Sequence, residues 1–331
     1  MFLLRTLEKY GICSTLAIAL NISKMIDSLF LKKGANVIYF RMRQTFIFCN
    51  RYTCTSLPKP MQFHIDFISA KGIIFSRHLD RWVKFRFVAP SNYWKSNSSF
   101  PVLLMNDGQD YGPMRLEETL TKAFANKTLR PFLYFGIECN ENRMHEYGIA
   151  SSADFKGRGG RAYEYSKFIV EEFLPFLKKE FKVSPKGADW VYCGMSLGGL
   201  SAFDIAYANP KQFGKIGVFS GSFWWRKKAY VKKDIADRSR ILLDVIKEKP
   251  FAPPLKFWLQ TGTEDEKADR NGNGIIDAID DTLDVIKELQ AKGYSYPGAV
   301  TYVEVEGGKH DLPTWGKIFP AFLAWAFDAK K

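Results

Sequence analysis

One six-residue segment, Gly194-Met195-Ser196-Leu197-Gly198-Gly199, constrains the fold more than any other part of the sequence. It follows a short apolar strand at 190–193 and precedes a helix of small residues at 200–208. A serine between two glycines at such a junction is typical of a sharp strand-to-helix turn that exposes the hydroxyl above a parallel sheet. Side chains at either glycine would collide with the neighbouring strand and helix. The segment therefore predicts a nucleophile, Ser196, with the Leu197 N–H directed at a developing oxyanion.

The rest of the chain from Met61 onward alternates strands with helices. Segments 62–69 and 82–88 are predicted to form an antiparallel opening pair. Further strands are predicted at 101–105, 131–137, 215–219, 255–260 and 299–305, and helices at 117–125, 163–181 and 318–327. The central strands are apolar throughout, which indicates an α/β fold with a mostly parallel sheet and helices on both faces.

Catalytic residues on this kind of fold follow the chain order serine, acid, histidine. Of the four histidines only His310 follows Ser196, and it lies between the last strand and the last helix. The strand at 255–260 leads into a loop with three carboxylates. We favour Asp265 as the acid that orients the imidazole, with Glu264 as the alternative.

The second oxyanion donor is expected from the loop that follows the strand at 101–105. Gly108 or Gln109 supplies it in this interpretation. The sequence requires no cofactor for such chemistry.

A second polar segment follows the acid loop and has the spacing of a calcium loop. Oxygen-bearing groups stand at positions 1, 3, 5, 7, 9 and 12, with glycine at position 6. They belong to Asp269, Asn271, Asn273, Ile275 (through its carbonyl), Asp277 and Asp280. The stretch resembles dockerin modules, in which position 12 is also Asp. We expect at most modest calcium affinity and a structural role that braces the acid loop. A turn that binds nothing is the alternative.

The net charge of the chain is unevenly distributed. The 331 residues carry a formal charge of +13, and +7 of this falls in residues 1–60, which end at Pro58 and Pro60 directly before Met61. We interpret residues 1–60 as an extension outside the fold and residues 61–331 as one enzyme domain. The basic residues form no motif interleaved with aromatics, so no nucleic-acid partner is expected. No apolar run reaches the roughly 20 residues of a membrane span.

Cysteine usage and the N-terminal residues bear on the compartment. Five Cys in a chain of this length form neither a disulfide framework nor a zinc motif, and Cys139 and Cys193 are expected to be free thiols. A start at Met61 would leave no export signal, so a cytoplasmic location is predicted. A periplasmic or secreted location would require residues 1–60 to act as an export signal. The oligomeric state is left open.

Together these motifs resemble those of the putative esterase family of α/β-hydrolases. This group contains enterochelin esterase-like enzymes, feruloyl and acetylxylan esterases, and S-formylglutathione hydrolase. The matching stretches are 102–111, 142–147, 194–199, 220–225, and Gly308-Lys309-His310 with Trp315. The resemblance covers about residues 62–331. It implies the α/β-hydrolase fold and ester hydrolysis by Ser196, His310 and a loop acid through an acyl-enzyme.

Four residues are candidates for the substrate pocket: Arg143, Tyr147, Trp224 and Trp225. The tryptophans could stack on an aromatic or sugar ring, with core or rim packing as the alternative. Arg158 and Arg161 could meet an anionic substrate, although solvated surface charge is favoured for both.

The predicted function is a serine esterase that acts on a small-molecule or carbohydrate ester. Two alternatives stay open. One is an acyltransferase that uses the same triad, and the other is a non-catalytic, calcium-responsive binding module on a hydrolase scaffold.

Overall fold

A computed structural model describes residues 67–125, 129–231, 239–250 and 252–329. The predicted extension at 1–60 and the predicted strand start at 62 lie outside these ranges, so both stay predictions. Within the described ranges, no helix combines the length and the apolar character needed to cross a bilayer.

The described residues form eight strands and eight α-helices. The strands are β1 (Phe67–Ser76), β2 (Arg81–Pro90), β3 (Val102–Met105), β4 (Leu133–Ile137), β5 (Trp190–Met195), β6 (Lys215–Phe219), β7 (Lys256–Glu264) and β8 (Val300–Lys309). The helices are α1 (Leu116–Ala125), α2 (Arg143–Glu146), α3 (Ala162–Lys167), α4 (Leu174–Glu180), α5 (Ser196–Ala208), α6 (Ile241–Glu248), α7 (Asp277–Ala291) and α8 (Leu312–Phe327). A 3₁₀ turn covers Gly108–Tyr111.

All eight strands belong to one sheet in the order β1-β2-β4-β3-β5-β6-β7-β8. β2 is antiparallel to both of its neighbours, and the remaining pairs are parallel. Along β3, Val102 and Leu104 join one apolar core, whereas Leu103 and Met105 join a second. The sheet is therefore covered on both faces, which confirms the predicted α/β architecture.

The first strand differs from its prediction, because it runs to Ser76 instead of ending at residue 69. It pairs with β2 along its whole length, from Phe67 opposite Pro90 to Ser76 opposite Arg81. A Cβ at Gly72 would lie 2.3 Å from the ring of Phe85. The missing side chain at this position thus makes room for an aromatic ring of the neighbouring strand.

The helix predicted at 163–181 is present, but its hydrogen-bonding changes along its length. α3 and α4 are joined without a break by a π-helical segment, Phe168–Phe173. Pro175 is the second residue of α4. Proline has no N–H to donate and its ring crowds the preceding turn, so a local widening of the helix accommodates it.

Two polar side chains on the buried helix α5 bind the loop that begins at Gly148. The Ser201 hydroxyl accepts the Gly148 N–H at 2.7 Å and donates to the Gly148 carbonyl at 3.2 Å. The Asp204 carboxylate accepts the Ala150 N–H at 2.8 Å. Burial raises the pKa of Asp204 from 3.8 to about 6. The helix that begins at Ser196 therefore also fixes this loop.

The raised pKa of Asp204 predicts a pH dependence of stability. Because the folded state favours the protonated carboxyl, the contribution of Asp204 is fully present below pH 3.8 and is lost as the pH rises through about 6. Asp204→Asn should therefore raise the free energy of unfolding at pH 7.5 by on the order of 2 kcal/mol and change it little at pH 4. Urea unfolding at the two pH values measures the difference. An equal effect at both would contradict the prediction.

Candidate active site

Ser196 stands at the junction of β5 and α5, where the chain reverses direction within one residue. Its φ is 51°, in the left-handed region that residues other than glycine rarely adopt. Such strain persists only where the surroundings enforce it, and it is frequent at functional sites. The Ser196 hydroxyl lies 3.3 Å from the hydroxyl of Ser222 on the turn after β6.

The two glycines of this turn are required by close approaches. A Cβ at Gly194 would lie 2.5 Å from the carbonyl of Gly198, so β5 contacts the first turn of α5 directly. A Cβ at Gly198 would lie 2.4 Å from the carboxylate of Asp107. The second collision therefore involves the loop after β3, and not the strand or helix that the sequence indicated.

A buried asparagine, Asn106, connects that loop to α5. Its amide NH₂ donates to the Gly198 carbonyl at 2.8 Å. Its amide oxygen accepts the Tyr165 and Tyr192 hydroxyls at 2.7 and 2.8 Å. All four groups are buried, so these bonds fix the spacing between the loop and the helix.

The predicted oxyanion donors lie at two helix starts. Leu197 is the second residue of α5, and Gly108 and Gln109 open the 3₁₀ turn after β3. N–H groups in the first turn of a helix have no partner inside that helix, so they are available to an anion. The Gln109 side chain is held in place, because its Oε1 accepts the Cys139 N–H at 3.1 Å and its NH₂ donates to Asp107 at 3.2 Å.

The predicted acid and base follow neighbouring parallel strands. β7 ends at Glu264, directly before Asp265, and β8 ends at Lys309, directly before His310. The Glu264 side chain is exposed and lies 3.9 Å from the Lys309 ammonium. Asp265 is half-buried, and within the described ranges its carboxylate oxygens have no hydrogen-bond partner. Partial burial and Arg143 lower the imidazole pKa of His310, and the charge of Asp265 opposes them. Glu264 therefore lies at the surface, and Asp265 as the acid stays a prediction.

An ion pair beside this site was not predicted. Arg143 donates to the buried Asp107 carboxylate through Nε at 2.7 Å and through Nη2 at 2.9 Å. Asp107 has a φ of 59°, and it is the carboxylate that approaches Gly198. The polar run at 106–110 signals a turn, but nothing in the sequence shows that a distant arginine pairs with it.

The candidate pocket residues differ in exposure. Tyr147 and Trp225 have 0% exposed surface, so neither lines an open pocket. For Trp225 this agrees with the alternative of core packing, and for Tyr147 it differs from the expectation. The Tyr147 hydroxyl accepts the Asp107 N–H at 3.3 Å, which makes Tyr147 a support of the loop after β3. Trp224 is partly exposed, and the Arg158 guanidinium lies 4.6 Å above its ring.

The other two arginines are bonded to the protein and are not simply solvated. Arg158 pairs with the buried Asp154 carboxylate. Arg161 donates to the Leu79 carbonyl at 3.0 Å. Both guanidiniums therefore support the local fold.

The side chains of the calcium-like loop partly converge. Asp269 accepts N–H groups from Gly272 at 2.7 Å and from Gly274 at 2.9 Å, which curls the loop around its first residue. The amide NH₂ groups of Asn271 and Asn273 both donate to the Asp280 carboxylate, at 2.8 and 2.9 Å. Their amide oxygens accept the N–H groups of Asn273 and Ile275, at 3.0 and 2.8 Å. Positions 3, 5 and 12 are therefore joined by hydrogen bonds, and the calcium site stays a prediction.

Position 9 of the loop fits less well. The Asp277 carboxylate accepts the Arg270 N–H at 2.9 Å and lies 3.3 Å from the Arg270 guanidinium. Within the described ranges, no group of three or more His, Cys, Asp and Glu side chains is arranged to hold a metal ion. Cation binding here would therefore depend on amide and main-chain oxygens, including the carbonyl of Ile275.

An eight-stranded sheet in this order, whose fifth strand passes into a helix through a left-handed serine, is the architecture of the α/β-hydrolases. The family model described as "Putative esterase" matches residues 76–326. The chain therefore belongs to the putative esterase family, and it is an enzyme of the carboxylic ester hydrolase class.

Comparison with individual proteins agrees with this assignment. The chain is 26% identical over 248 residues to uncharacterized protein YbbA of Bacillus subtilis (strain 168), which covers 74% of this chain and 92% of that protein. It is 24% identical over 217 residues to the iron(III) enterobactin esterase of Escherichia coli (strain K12), which covers 65% of this chain and 46% of the relative. A solved ferulic acid esterase superposes with a TM-score of 0.61 at 15% identity, over 80% of this chain and 99% of that one, and shows the shared fold.

Proposed function

We propose that this protein hydrolyses carboxylic esters through an acyl-enzyme on Ser196, with His310 as general base and Asp265 as the orienting acid. The observation that carries the proposal is the left-handed Ser196 at the carboxyl edge of the parallel strands, where Asp265 and His310 follow β7 and β8. In this proposal the nucleophile, the acid and the base follow three parallel strands, β5, β7 and β8, at one edge of the sheet.

The acylation step uses the neutral imidazole of His310. It removes the proton from the Ser196 hydroxyl as the oxygen attacks the ester carbonyl. The resulting oxyanion accepts N–H groups from Leu197 and from Gly108 or Gln109. The imidazolium then gives its proton to the departing alkoxide, so an alcohol leaves and the acyl group stays on Ser196.

Deacylation repeats these steps with water in place of serine. His310 takes a proton from water, which attacks the acyl carbonyl, and then returns that proton to the Ser196 oxygen. The products are one carboxylic acid and one alcohol for each ester and water consumed. The ionised Asp265 orients the imidazole and stabilises the imidazolium in both halves of the reaction.

The substrate we propose is an ester of a small molecule or a carbohydrate. Relatives named as an enterobactin esterase and as a xylanase/feruloyl esterase support this range. Trp224 is the candidate aromatic contact for the substrate, because its ring is partly exposed and it follows Ser222 by two residues.

The first test replaces the nucleophile in the full chain. Wild type should hydrolyse short-chain p-nitrophenyl esters and bind a fluorophosphonate probe covalently, and Ser196→Ala should lose both reactions. Residual turnover should fall by about 10⁴-fold or more, because the nucleophile and its base act as a unit. Ser98→Ala, a change in the exposed loop before β3, serves as the matched control and should behave as wild type.

Two results would reject the proposal. In one, wild type turns over the esters no faster than Ser196→Ala. In the other, wild type fails to react with the fluorophosphonate while it remains folded by circular dichroism. The second result would favour a non-catalytic binding module.

The acid is identified by comparing Asp265→Asn with Glu264→Gln. We expect Asp265→Asn to lower kcat by about 10³–10⁴-fold through loss of imidazole orientation. Glu264→Gln should stay within about twofold of wild type, because its carboxylate is exposed and lies against the Lys309 ammonium at 3.9 Å. The reverse ranking would assign the acid to Glu264.

The same pair of variants gives a pH prediction. Activity needs neutral His310, so kcat/KM should fall as the pH drops through the imidazole pKa, which lies below 6.5. Asp265 opposes that lowering, so Asp265→Asn should move the acidic limb to still lower pH. Glu264→Gln should leave the limb in place. A shift to higher pH in Asp265→Asn would contradict the assignment.

We also propose that the loop from Asp269 to Asp280 binds calcium in a structural role. The spacing of the oxygen-bearing residues supports this, as does the proximity of the Asn271 and Asn273 side chains to the Asp280 carboxylate. Amide and carboxylate oxygens are the ligands that calcium prefers.

Calorimetric titration of the chelator-treated full chain with calcium chloride tests the loop. We expect modest-affinity binding and a calcium-dependent rise in Tm, since a ligand that binds only the folded state stabilises it. Asp280→Asn should lose both effects, and the exposed Glu264→Gln should retain both. Identical isotherms for wild type and Asp280→Asn, or no binding heat in wild type, would refute the site.

A further inference from the structure

The turn after β6 contributes two serines to the active site, one on each side of Gly221. β6 lies between the strand that carries the nucleophile and the strand that carries the acid. The Ser222 N–H donates to the Ser196 carbonyl at 3.2 Å, and the two hydroxyls are 3.3 Å apart. Ser220 contacts the strand on the other side of β6, because its N–H donates to the carbonyl of Gln260 in β7 at 2.7 Å.

Ser220 is held in an unfavourable backbone conformation. Its φ is 45°, and only 3% of its surface is exposed. A non-glycine residue in the left-handed region costs free energy that the surrounding structure must offset. A serine at this buried and strained position therefore suggests that its hydroxyl has a use.

Trp315, in the first turn of α8, connects this hydroxyl to the histidine. Its indole N–H donates to the Ser220 hydroxyl at 2.9 Å. Its ring also meets the imidazole of His310 edge-on, with centroids 5.1 Å apart and planes at 78°. The buried Trp315 side chain thus contacts both His310 and Ser220.

The acid is the third member of this cluster. Burial raises the pKa of Asp265, whereas the Gly262 N–H, the Ser220 hydroxyl and His310 lower it. Within the described ranges, neither carboxylate oxygen has a hydrogen-bond partner, so both have unused acceptor capacity. Because Trp315 donates to one lone pair of the Ser220 oxygen, the single Ser220 proton is free to turn toward the carboxylate.

We propose that Ser220 and Trp315 form a positioning pair that holds the Asp265 carboxylate and the His310 ring in one orientation. The proposal rests on the proposed triad and deepens it. Neither residue touches the ester, so their effect passes through the acid and the base. The pair should influence kcat and leave substrate binding unchanged.

The test uses two substitutions that each remove one polar group. Trp315→Phe keeps an aromatic ring against His310 but loses the N–H, and Ser220→Ala loses the hydroxyl. Each should lower kcat by about tenfold, the effect of one lost hydrogen bond, with KM within about twofold of wild type. The double variant should be no worse than about the poorer single variant, because both break the same connection.

Testing Ser220→Ala in a variant that lacks the acid distinguishes a positioning role from a general effect on the structure. In Asp265→Asn, which has no carboxylate to position, adding Ser220→Ala should lower the residual kcat by less than twofold. Trp258→Phe is the matched control. The buried indole N–H of Trp258 has no acceptor within the described ranges, so its loss should leave kcat unchanged.

The outcomes distinguish this proposal from the one on which it rests. Wild-type turnover equal to that of Ser196→Ala would reject the triad itself. With an active wild type, unchanged kcat in Ser220→Ala, or an equal loss in the Asp265→Asn background, would reject the positioning pair. If Trp315→Phe fails to fold by circular dichroism, Ser220→Ala in the two backgrounds decides alone.

Discussion

The contact between Gly194 and the first turn of α5 is the constraint on which the active site depends. The two main chains approach so closely that a Cβ at Gly194 would lie 2.5 Å from the Gly198 carbonyl. That approach forces Ser196 into the left-handed region and brings Gly198 against the Asp107 carboxylate. One backbone crossing therefore sets the direction of the Ser196 side chain and the position of the loop after β3.

Hydrogen bonds from polar side chains in the surrounding core hold the neighbouring loops in fixed positions relative to α5. Asn106 bonds the loop after β3 to Gly198, and Arg143 binds the Asp107 carboxylate from the other side. Farther along α5, Ser201 and Asp204 hold the loop that begins at Gly148. Buried polar groups require partners, and here the partners come from different loops, so satisfying them orders the site.

The sequence was a good guide where local pattern determines structure, and a poor one where distant partners do. Apolar periodicity and the glycine-flanked serine were enough to predict the alternating fold, because each acts over a few neighbouring residues. The end of β1 was missed because the reason for Gly72 is the ring of Phe85 on another strand. For the same reason Tyr147 was placed in a pocket although it is fully buried. The pairing of Arg143 with Asp107, 36 residues away in the chain, leaves no trace in local composition.

The position of β8 has a consequence for biosynthesis. β8 is the last strand in chain order and an edge of the sheet, and His310 and Trp315 follow it within six residues. The part of the chain through Asp265 already carries the strained serine and the carboxylate. Under the proposed chemistry, a nascent chain of this length would hold a nucleophile without a base. It would become reactive only after the segment from β8 to Trp315 has been synthesised and has docked.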